Sequence, residues 1–377
     1  MLAPLLTLTA PDRPLDRALL DAPGGFAWWY VDLLDEARNG LVLIWSFGLP
    51  FLPGYLGAAR AGRPERPRER PSLNVVVYEA GRPSLYLLTE HAEQDATWSA
   101  DGRSFRFGRS RIETWVEGAR RRVRAELDAP IAGSGERVRG VVDVDGPARQ
   151  LAGAEPREID PRFHDWTPMT AVARGVADLR WGARRVHIDG RAYHDRNGSR
   201  TPLDRLGIAE WVWGRAALPD RELVWYLLWP ARGEREATFL GAEIGADGRT
   251  RVLDGLRVRA HGERRARFGM RWWERLELTN DGAPWLDVMH EAPVDDGPFY
   301  LRSFARARTP DGSIASGSAE VCVPARVDRA HERPFVRMRV HRTGAPSSRW
   351  LPLFTGPREG RVTRLARTLL GRDPAER

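Results

Sequence analysis

Residues 191–197, RAYHDRN, place a tyrosine, a histidine, an aspartate and an asparagine within seven positions. Three interpretations fit these residue types. His194 could bind a metal ion, Asp195 could transfer a proton, or the segment could be a polar hairpin end with a structural role only.

A metal site requires several converging ligands, usually from His, Cys or carboxylate side chains. His194 has no second histidine at i+2, and the eight histidines of the chain form no HxH or HExxH pattern. The sequence also contains no glycine-rich phosphate loop and no zinc motif. We therefore expect no metal and no cofactor.

The proton-transfer interpretation depends on which face of a strand carries the aspartate. In an extended strand Tyr193 and Asp195 share one face, whereas His194 points to the other face with Ala192 and Arg196. Burial of the first face would raise the pKa of Asp195 and leave a neutral carboxylic acid that can donate a proton. The alternative is a turn-forming aspartate beside a core tyrosine, and the residue pattern alone favours that alternative.

The surrounding sequence predicts an all-β protein. Asp-Gly pairs, a strong hairpin signal between alternating runs, begin at residues 101, 145, 189, 247, 254, 281, 296 and 311. Runs such as SFRFGRSRIETWVEG and LRVRAHGERRARFGMRWWERLEL alternate apolar and charged residues. Many short antiparallel strands must close into barrels or sandwiches to hide their edges.

A chain of 377 residues is long enough for two domains. The stretch AEPREIDPRF, residues 154–163, is the best candidate for a linker. We therefore predict an N-terminal β domain over 1–160, a second β domain over 161–345 that carries Asp195, and a basic tail over 346–377 that includes an amphipathic helix.

The net charge of +8 is carried entirely by arginine, because the chain has no lysine. Such a surplus favours anionic partners, but no helix-turn-helix, zinc finger, RNP or KH pattern is present. We expect no nucleic-acid partner. The single cysteine, Cys322, excludes an internal disulfide and fits a reducing compartment. We expect a cytoplasmic protein, for which a peripheral position on the inner membrane stays open.

Residues 40–59 are uncharged over a length that could span a bilayer, but Pro50, Pro53 and several glycines argue against a continuous helix. We predict instead a buried strand, LVLIWSF, followed by an apolar loop over residues 49–56. This loop would contact a membrane surface, form the lip of an apolar pocket or pack in the core.

Fifteen tryptophans are present, and the aromatic residues cluster. Such pairs usually pack in a core or across strands, but in barrels they would line a cavity for one apolar ligand. The clusters are Trp28-Trp29-Tyr30, Trp211/Trp213, Trp225-Tyr226/Trp229 and Trp272-Trp273.

Several segments, taken in order, resemble the carotenoid 1,2-hydratase (hydroxyneurosporene synthase) family and its lipocalin-like relatives. They are GGFAWWYVD at 24–32, FGLPFLPGY at 47–55, PSLNVVVYEAGRPSLYLLTEH at 71–91, FGRSRIETW at 107–115, FHDWTP at 163–168, YHDRNGSRTPL at 193–203, WVWGRA at 211–216 and AEVCVPARVDRAHERPFVRMRV at 319–340. The chain departs from the family pattern at Gly198-Ser199.

The resemblance implies two tandem lipocalin-like antiparallel β-barrel domains with few short helices. It also implies cofactor-independent hydration of the terminal C1=C2 bond of an acyclic carotenoid, or of another apolar isoprenoid or polyene. The family's proton donor falls on Asp195, with Tyr193 and Trp166 as aromatic neighbours. The substrate-binding candidates are Trp28, Trp29, Tyr30, Tyr55, His164, Asn197, Trp211 and Trp213.

Two other functions share the apolar cavity. A cofactor-free pericyclase or cyclase would act on a polyene or terpenoid without needing a carboxylic acid. A carrier would only hold an apolar ligand.

Overall fold

The computed structural model of the chain describes residues 5–150, 160–231 and 236–370. Strands dominate these residues, and they form two strongly curled sheets with a few short helices. The prediction of an all-β, lipocalin-like architecture is confirmed.

The first sheet contains the strands up to residue 199 and two short C-terminal strands. They are β1 (Leu6–Leu8), β2 (Phe26–Leu34), β3 (Gly40–Phe47), β4 (Pro71–Glu79), β5 (Arg82–Glu90), β6 (Ala96–Trp98), β7 (Ser104–Phe107), β8 (Ser110–Glu117), β9 (Arg120–Pro130), β10 (Arg137–Pro147), β11 (His164–Trp181), β12 (Arg184–Ser199), β23 (His341–Arg342) and β24 (Gly356–Pro357). Their order is β23-β5-β4-β3-β2-β12-β11-β10-β9-β8-β7-β6, with β1 beside β11 and β24 beside β5.

The second sheet contains the strands between residues 208 and 322. They are β13 (Ile208–Ala217), β14 (Arg221–Pro230), β15 (Thr238–Gly245), β16 (Thr250–Asp254), β17 (Arg257–Arg265), β18 (Arg271–Asn280), β19 (Ala283–His290), β20 (Asp295–Asp296), β21 (Tyr300–Arg308) and β22 (Ile314–Cys322). Their order is β16-β15-β14-β13-β22-β21-β19-β18-β17, with β20 beside β21. The α-helices of the described chain are α1 (Arg17–Asp21), α2 (Tyr55–Arg60), α3 (Arg333–Arg337), α4 (Leu351–Phe354) and α5 (Arg361–Leu369), and short 3-10 helices span Pro67–Glu69, Glu93–Asp95, Leu203–Arg205 and Pro324–Arg326.

Three apolar clusters hold this arrangement together. One fills the first curled sheet and includes Trp29, Trp45 and Phe105. Another fills the second curled sheet and includes Trp225 and Trp285. The third, which we call the interface cluster, joins side chains of both sheets: Trp28, Tyr30, Trp166, Tyr193, Trp211, Trp213 and Tyr226 belong to it. The space between the sheets, and not the inside of either curled sheet, is therefore the most aromatic region.

The Asp-Gly pairs mark hairpins only in part. Those at 101, 247, 281 and 311 lie between paired strands as predicted. The pairs at 145 and 189 lie inside β10 and β12, so the turn predicted at Asp189-Gly190 is wrong. The β11–β12 hairpin turns at residues 182–183 instead. β11 pairs continuously through residues 189–190 on one side, and the pairing of β12 with β2 begins at Arg191 on the other. This pairing overrides the local turn preference.

The predicted strand LVLIWSF is confirmed as part of β3. The apolar segment after it is buried at Leu49, Leu52, Tyr55 and Leu56, which pack in the interface cluster. Leu49 and Phe51 of this segment also line an apolar cavity, so the structure supports both the core-packed loop and the lip of an apolar pocket. No helix within the described ranges combines the length and apolar character needed to cross a membrane.

The predicted linker at 154–163 lies mostly outside the described residues, which resume at 160. Residues 164–199 pair with β2 and β10 and so belong to the first sheet, and the second sheet begins at Ile208. The division into domains at residue 160 stays a prediction. In the predicted basic tail, α5 forms an amphipathic helix as expected.

Candidate active site

Asp195 lies near the end of β12 with its side chain in the interface cluster, at 2% exposure. The predicted alternation is confirmed, because Tyr193, Asp195 and Asn197 share a hydrogen-bond network. His194 faces the opposite side, where its Nδ1 lies 2.8 Å from the carbonyl oxygen of Tyr30.

Three side chains donate hydrogen bonds to the Asp195 carboxyl group. Trp166 Nε1 donates to Oδ2 at 2.9 Å, and the Tyr193 hydroxyl donates to the same oxygen at 3.2 Å. Asn197 Nδ2 donates to Oδ1 at 2.9 Å. Trp166 reaches this position because β11 pairs with β12 in a register that sets it opposite Asn197.

Burial raises the pKa of Asp195 to about 8, against the lowering effect of the hydrogen bonds from Trp166 and Tyr193. Coulombic repulsion from Glu320 and Asp32 raises it further. The desolvation of the charged form therefore outweighs the hydrogen bonds that favour it. Near pH 7 the site holds a mainly neutral carboxylic acid.

A second layer of polar groups supports Asn197. Its Oδ1 lies 3.0 Å from His164 Nε2, which is also 3.1 Å from the hydroxyl of Tyr226. Burial lowers the pKa of His164 to about 4, so the ring is neutral at pH 7. A neutral His164 with its proton on Nε2 can donate to Asn197 Oδ1, which directs the Asn197 amide group to donate to Asp195.

Aromatic rings from both sheets surround the carboxyl group. Trp213 of β13 lies with its ring centroid 5.3 Å from that of Tyr30 and 5.7 Å from that of Tyr193. The ring of Tyr226 of β14 is 5.6 Å from Trp166 and nearly perpendicular to it. The negative faces of such rings favour a nearby cation.

Two cavities that share part of their lining lie near this point. A small one of about 20 Å³ is lined by Trp28, Tyr30, Asp195, Asn197, Trp213, Tyr226 and Glu320. A larger one of about 90 Å³ shares Trp28, Tyr30 and Glu320 with it. Apolar side chains dominate the rest of its lining, among them Val42, Ile44, Leu49, Phe51, Val76, Leu88, Trp211 and Phe299. The arrangement is an apolar recess that ends at a neutral acid.

Larger grooves of about 730 and 710 Å³ lie on the surface around residues 330–349. Arginine, proline and serine side chains form much of their lining, and Asp195 and its aromatic neighbours are not part of it. The acid in their lining, Glu136, is exposed, unlike the buried Asp195.

The structure brings most of the predicted site residues together. Beyond Asp195, the shared network or the cavities include Tyr193, Trp166, Trp28, Tyr30, His164, Asn197, Trp211 and Trp213. The structure does not place Trp29, a predicted substrate-binding residue, at this site. Alternation along β2 turns it away from Trp28 and Tyr30, and it packs in the core of the first sheet. Tyr55 is buried too, but its hydroxyl donates to the carbonyl of Gly25 and the residue lines neither cavity.

Sequence reasoning missed Tyr226 as a site residue and did not single out Glu320. Tyr226 carried a signal as part of an aromatic cluster, but nothing in the sequence connected that cluster to Asp195. Glu320 is one acid in an alternating strand, and its position near the site depends on strand pairing. Trp213 of β13 pairs with Tyr226 of β14 on one side and with Glu320 of β22 on the other.

In the described part of the chain, no three His, Cys, Asp or Glu side chains are grouped so that they could hold a metal ion. His194 is buried, and burial lowers its pKa to about 3.

These features define a lipocalin-like β protein with a neutral, buried carboxyl group at the end of an apolar recess. The chain matches the family model described as Carotenoid hydratase CrtC over residues 44–348, which is most of its length. It belongs to this carotenoid hydratase family, a family of hydro-lyases.

Of two similar curated proteins, one is named as a hydratase and the other as a dehydrogenase. The acyclic carotenoid 1,2-hydratase of Rubrivivax gelatinosus is 31% identical over 291 residues, covering 76% of this chain and 66% of that protein. The chain therefore spans slightly less than two thirds of that relative. The hydroxyneurosporene dehydrogenase of Chlorobaculum tepidum is 27% identical over 360 residues, or 88% of this chain and 91% of the relative.

A crystal structure described as an AttH from Nitrosomonas europaea shares the fold with a TM-score of 0.57. The two are 15% identical, and the match covers 85% of this chain and 99% of the other. At this identity the likeness concerns the fold alone.

Proposed function

We propose that this protein adds water to the terminal C1=C2 double bond of an acyclic carotenoid of the lycopene or neurosporene type, giving a tertiary alcohol. The observation that carries the proposal is the neutral Asp195 carboxyl group at the inner end of an apolar recess. The curated relative named as an acyclic carotenoid 1,2-hydratase supports the choice of substrate class.

The first step is protonation of the alkene by Asp195. The proton goes to C2, because this leaves the more stable tertiary cation at C1. Oδ2 already accepts two hydrogen bonds and Oδ1 accepts one, so Oδ1 has more room for the transferable proton. Once the proton has left, the same three donors stabilise the carboxylate.

The cation at C1 requires stabilisation in a site that excludes bulk water. The rings of Trp166 and Tyr193 adjoin the acid, and an aromatic face contributes about 2 kcal/mol toward a desolvated cation. Water then captures C1, and loss of one proton from that water completes the alcohol. The overall reaction consumes one alkene and one water.

The size of the recess constrains how the substrate binds. Pockets that enclose a drug-sized ligand measure about 300–1,000 Å³, whereas the apolar cavity measures about 90 Å³. It therefore accommodates one end of a long polyene, and the rest of the chain remains outside this cavity. Binding by one end matches chemistry at a terminal double bond.

The test is a paired assay of wild type and Asp195→Asn with lycopene or neurosporene in detergent and oxygen-18 water. Wild type is expected to give an alcohol that carries one labelled oxygen, and Asp195→Asn to give none above background, because the amide cannot supply the proton. Asp189→Asn is the matched control, since Asp189 lies on the same strand but is exposed and paired with Arg174.

Absence of labelled alcohol from wild type would contradict the proposal for these substrates. If both proteins still bound the polyene, a carrier would account for the recess better. Unlabelled cyclised product formed by wild type and Asp195→Asn alike would point to a cofactor-free pericyclase.

A further inference from the structure

A second carboxyl group, from the opposite sheet, lines the small cavity beside Asp195. Glu320 lies on β22, and Asp195 lies on β12 of the first sheet. We propose that Glu320 orients the attacking water and accepts its proton, while Asp195 protonates the alkene. This inference rests on the proposed hydration.

The hydrogen bonds of Glu320 leave one oxygen available. Its Oε2 accepts from the hydroxyl of Tyr300 at 2.6 Å and from Arg302 Nη2 at 3.1 Å. Its Oε1 has a single long contact, from Trp211 Nε1 at 3.4 Å. Oε2 is fixed by a charge-assisted pair, whereas Oε1 retains capacity for another donor.

Arg302 is itself held in place from the first sheet. Its Nη1 donates to the hydroxyl of Tyr30 at 2.9 Å, and that hydroxyl donates to Asp32 Oδ2 at 2.7 Å. Tyr30 also lines the small cavity. The position of Glu320 is therefore coupled to the wall that carries Asp195.

The small cavity has the dimensions of a water site. Its volume is about 20 Å³, and a water molecule requires about 10–15 Å³ by this measure together with two to four polar partners. Polar side chains in its lining are Asp195, Asn197, Tyr30, Tyr226 and Glu320. The larger cavity shares Glu320 with it.

The two acids divide the proton transfers as follows. The Asp195 O–H bond breaks as the C2–H bond forms, which leaves a carboxylate and a C1 cation. The water oxygen bonds to C1 while one of its protons passes to Glu320. Both acids line one water-sized cavity, so the next water relays the proton from Glu320 back to Asp195, and the cycle needs no other reactant.

Two partial reactions separate these roles. Protonation by Asp195 in heavy water, followed by loss of the original proton from C2, returns the alkene with deuterium and needs no water capture. Alcohol formation needs both steps. We would therefore measure deuterium in the recovered carotenoid and oxygen-18 in the alcohol, in separate incubations, for wild type, Asp195→Asn and Glu320→Gln.

The expected result for Glu320→Gln is a fall of about 100-fold or more in labelled alcohol, as for loss of a general base, with deuterium exchange retained. Asp195→Asn is expected to lose both. Glu243→Gln is the matched control, because Glu243 also accepts from a tryptophan and an arginine, Trp285 and Arg251, but lines neither cavity.

Alcohol formation by Glu320→Gln within threefold of wild type would overturn the inference and leave the proposed hydration intact. Loss of exchange as well as alcohol, in a variant with an unchanged melting temperature, would also overturn it. If wild type itself makes no labelled alcohol, the proposed function fails and the inference fails with it. Should Glu320→Gln not fold, Tyr300→Phe, which removes one donor to Glu320, must lower alcohol formation relative to exchange.

Discussion

At the scale of single residues, the chemistry of Asp195 depends on its surroundings. Burial raises its pKa to about 8, and two hydrogen-bond donors limit the rise. A carboxyl group without donors would hold its proton more tightly, and an exposed one would have lost it at pH 7. The site therefore combines a proton that is present at pH 7 with a conjugate base that the protein stabilises.

A pH profile tests this balance. Hydration depends on protonated Asp195, so the initial rate is expected to fall as pH rises through about 8. Tyr193→Phe removes a donor that lowers this pKa. The falling limb should then move to higher pH, with a lower maximal rate because the acid is weaker. The measurement is the initial rate between about pH 6 and 10.

Tyr226→Phe is the control for this profile. Tyr226 contacts His164 and does not hydrogen-bond Asp195, so the limb should stay where it is in wild type. His164, with its pKa lowered to about 4, adds no limb in this range. If the rate fell at the same pH in Tyr193→Phe and in wild type, a group other than Asp195 would control that fall.

At the scale of elements, β11 contains two register shifts that together leave the alternation of its side chains unchanged between its two halves. The pairing with β12 shifts between Pro168 and Thr170 and again between Thr170 and Ala173, one extra residue each time. Two extra residues preserve alternation, so the strand delivers Trp166 to the interface cluster while Ala173 faces the first core. Val172, inside this irregular stretch, has φ of 51°.

We expect Val172→Gly to raise the free energy of unfolding by about 1 kcal/mol, because a β-branched residue at positive φ is strained and glycine is not. Val176→Gly is the control: it is also half-buried, but it lies in the regular part of β11. That change should destabilise. Urea unfolding of both variants provides the comparison, and equal losses of stability would contradict the strain argument.

At the scale of the whole molecule, a buried ion-pair group joins the two sheets. Arg215 of β13 lies 2.7 Å from Asp32 of β2 and 2.6 Å from Glu222 of β14, and all three side chains are almost fully buried. Charged side chains from three strands therefore meet between the two sheets, whose facing side chains also form the candidate site.

Replacing Arg215 with methionine would leave two buried carboxyl groups without their cation. Arg215→Met is therefore expected to cost about 3–5 kcal/mol of unfolding free energy, measured by urea denaturation. Arg174→Met is the matched control, because its pair with Asp189 is exposed and such pairs contribute about 0–1 kcal/mol. Similar losses in the two variants would mean that Arg215 does not join the sheets energetically.

The sequence by itself determined the features that depend on residues adjacent along the chain. Period-two alternation predicted the strands and the shared face of Tyr193 and Asp195, because side chains alternate in any extended strand. The ordered motifs predicted the family. Local turn preference failed at Asp189-Gly190, where continuous pairing with β11 holds the backbone extended.

Only the tertiary structure decided which faces meet. Alternation separates Trp28 from Trp29, but sheet packing determines that Trp28 reaches the site and that Trp29 packs in the core of the first curled sheet. Glu320 lies far from Asp195 in sequence and reaches its cavity through the pairing of β13 with β22. The raised pKa of Asp195 follows from burial between two sheets, and burial of this kind is a property of packed surfaces that no local pattern contains.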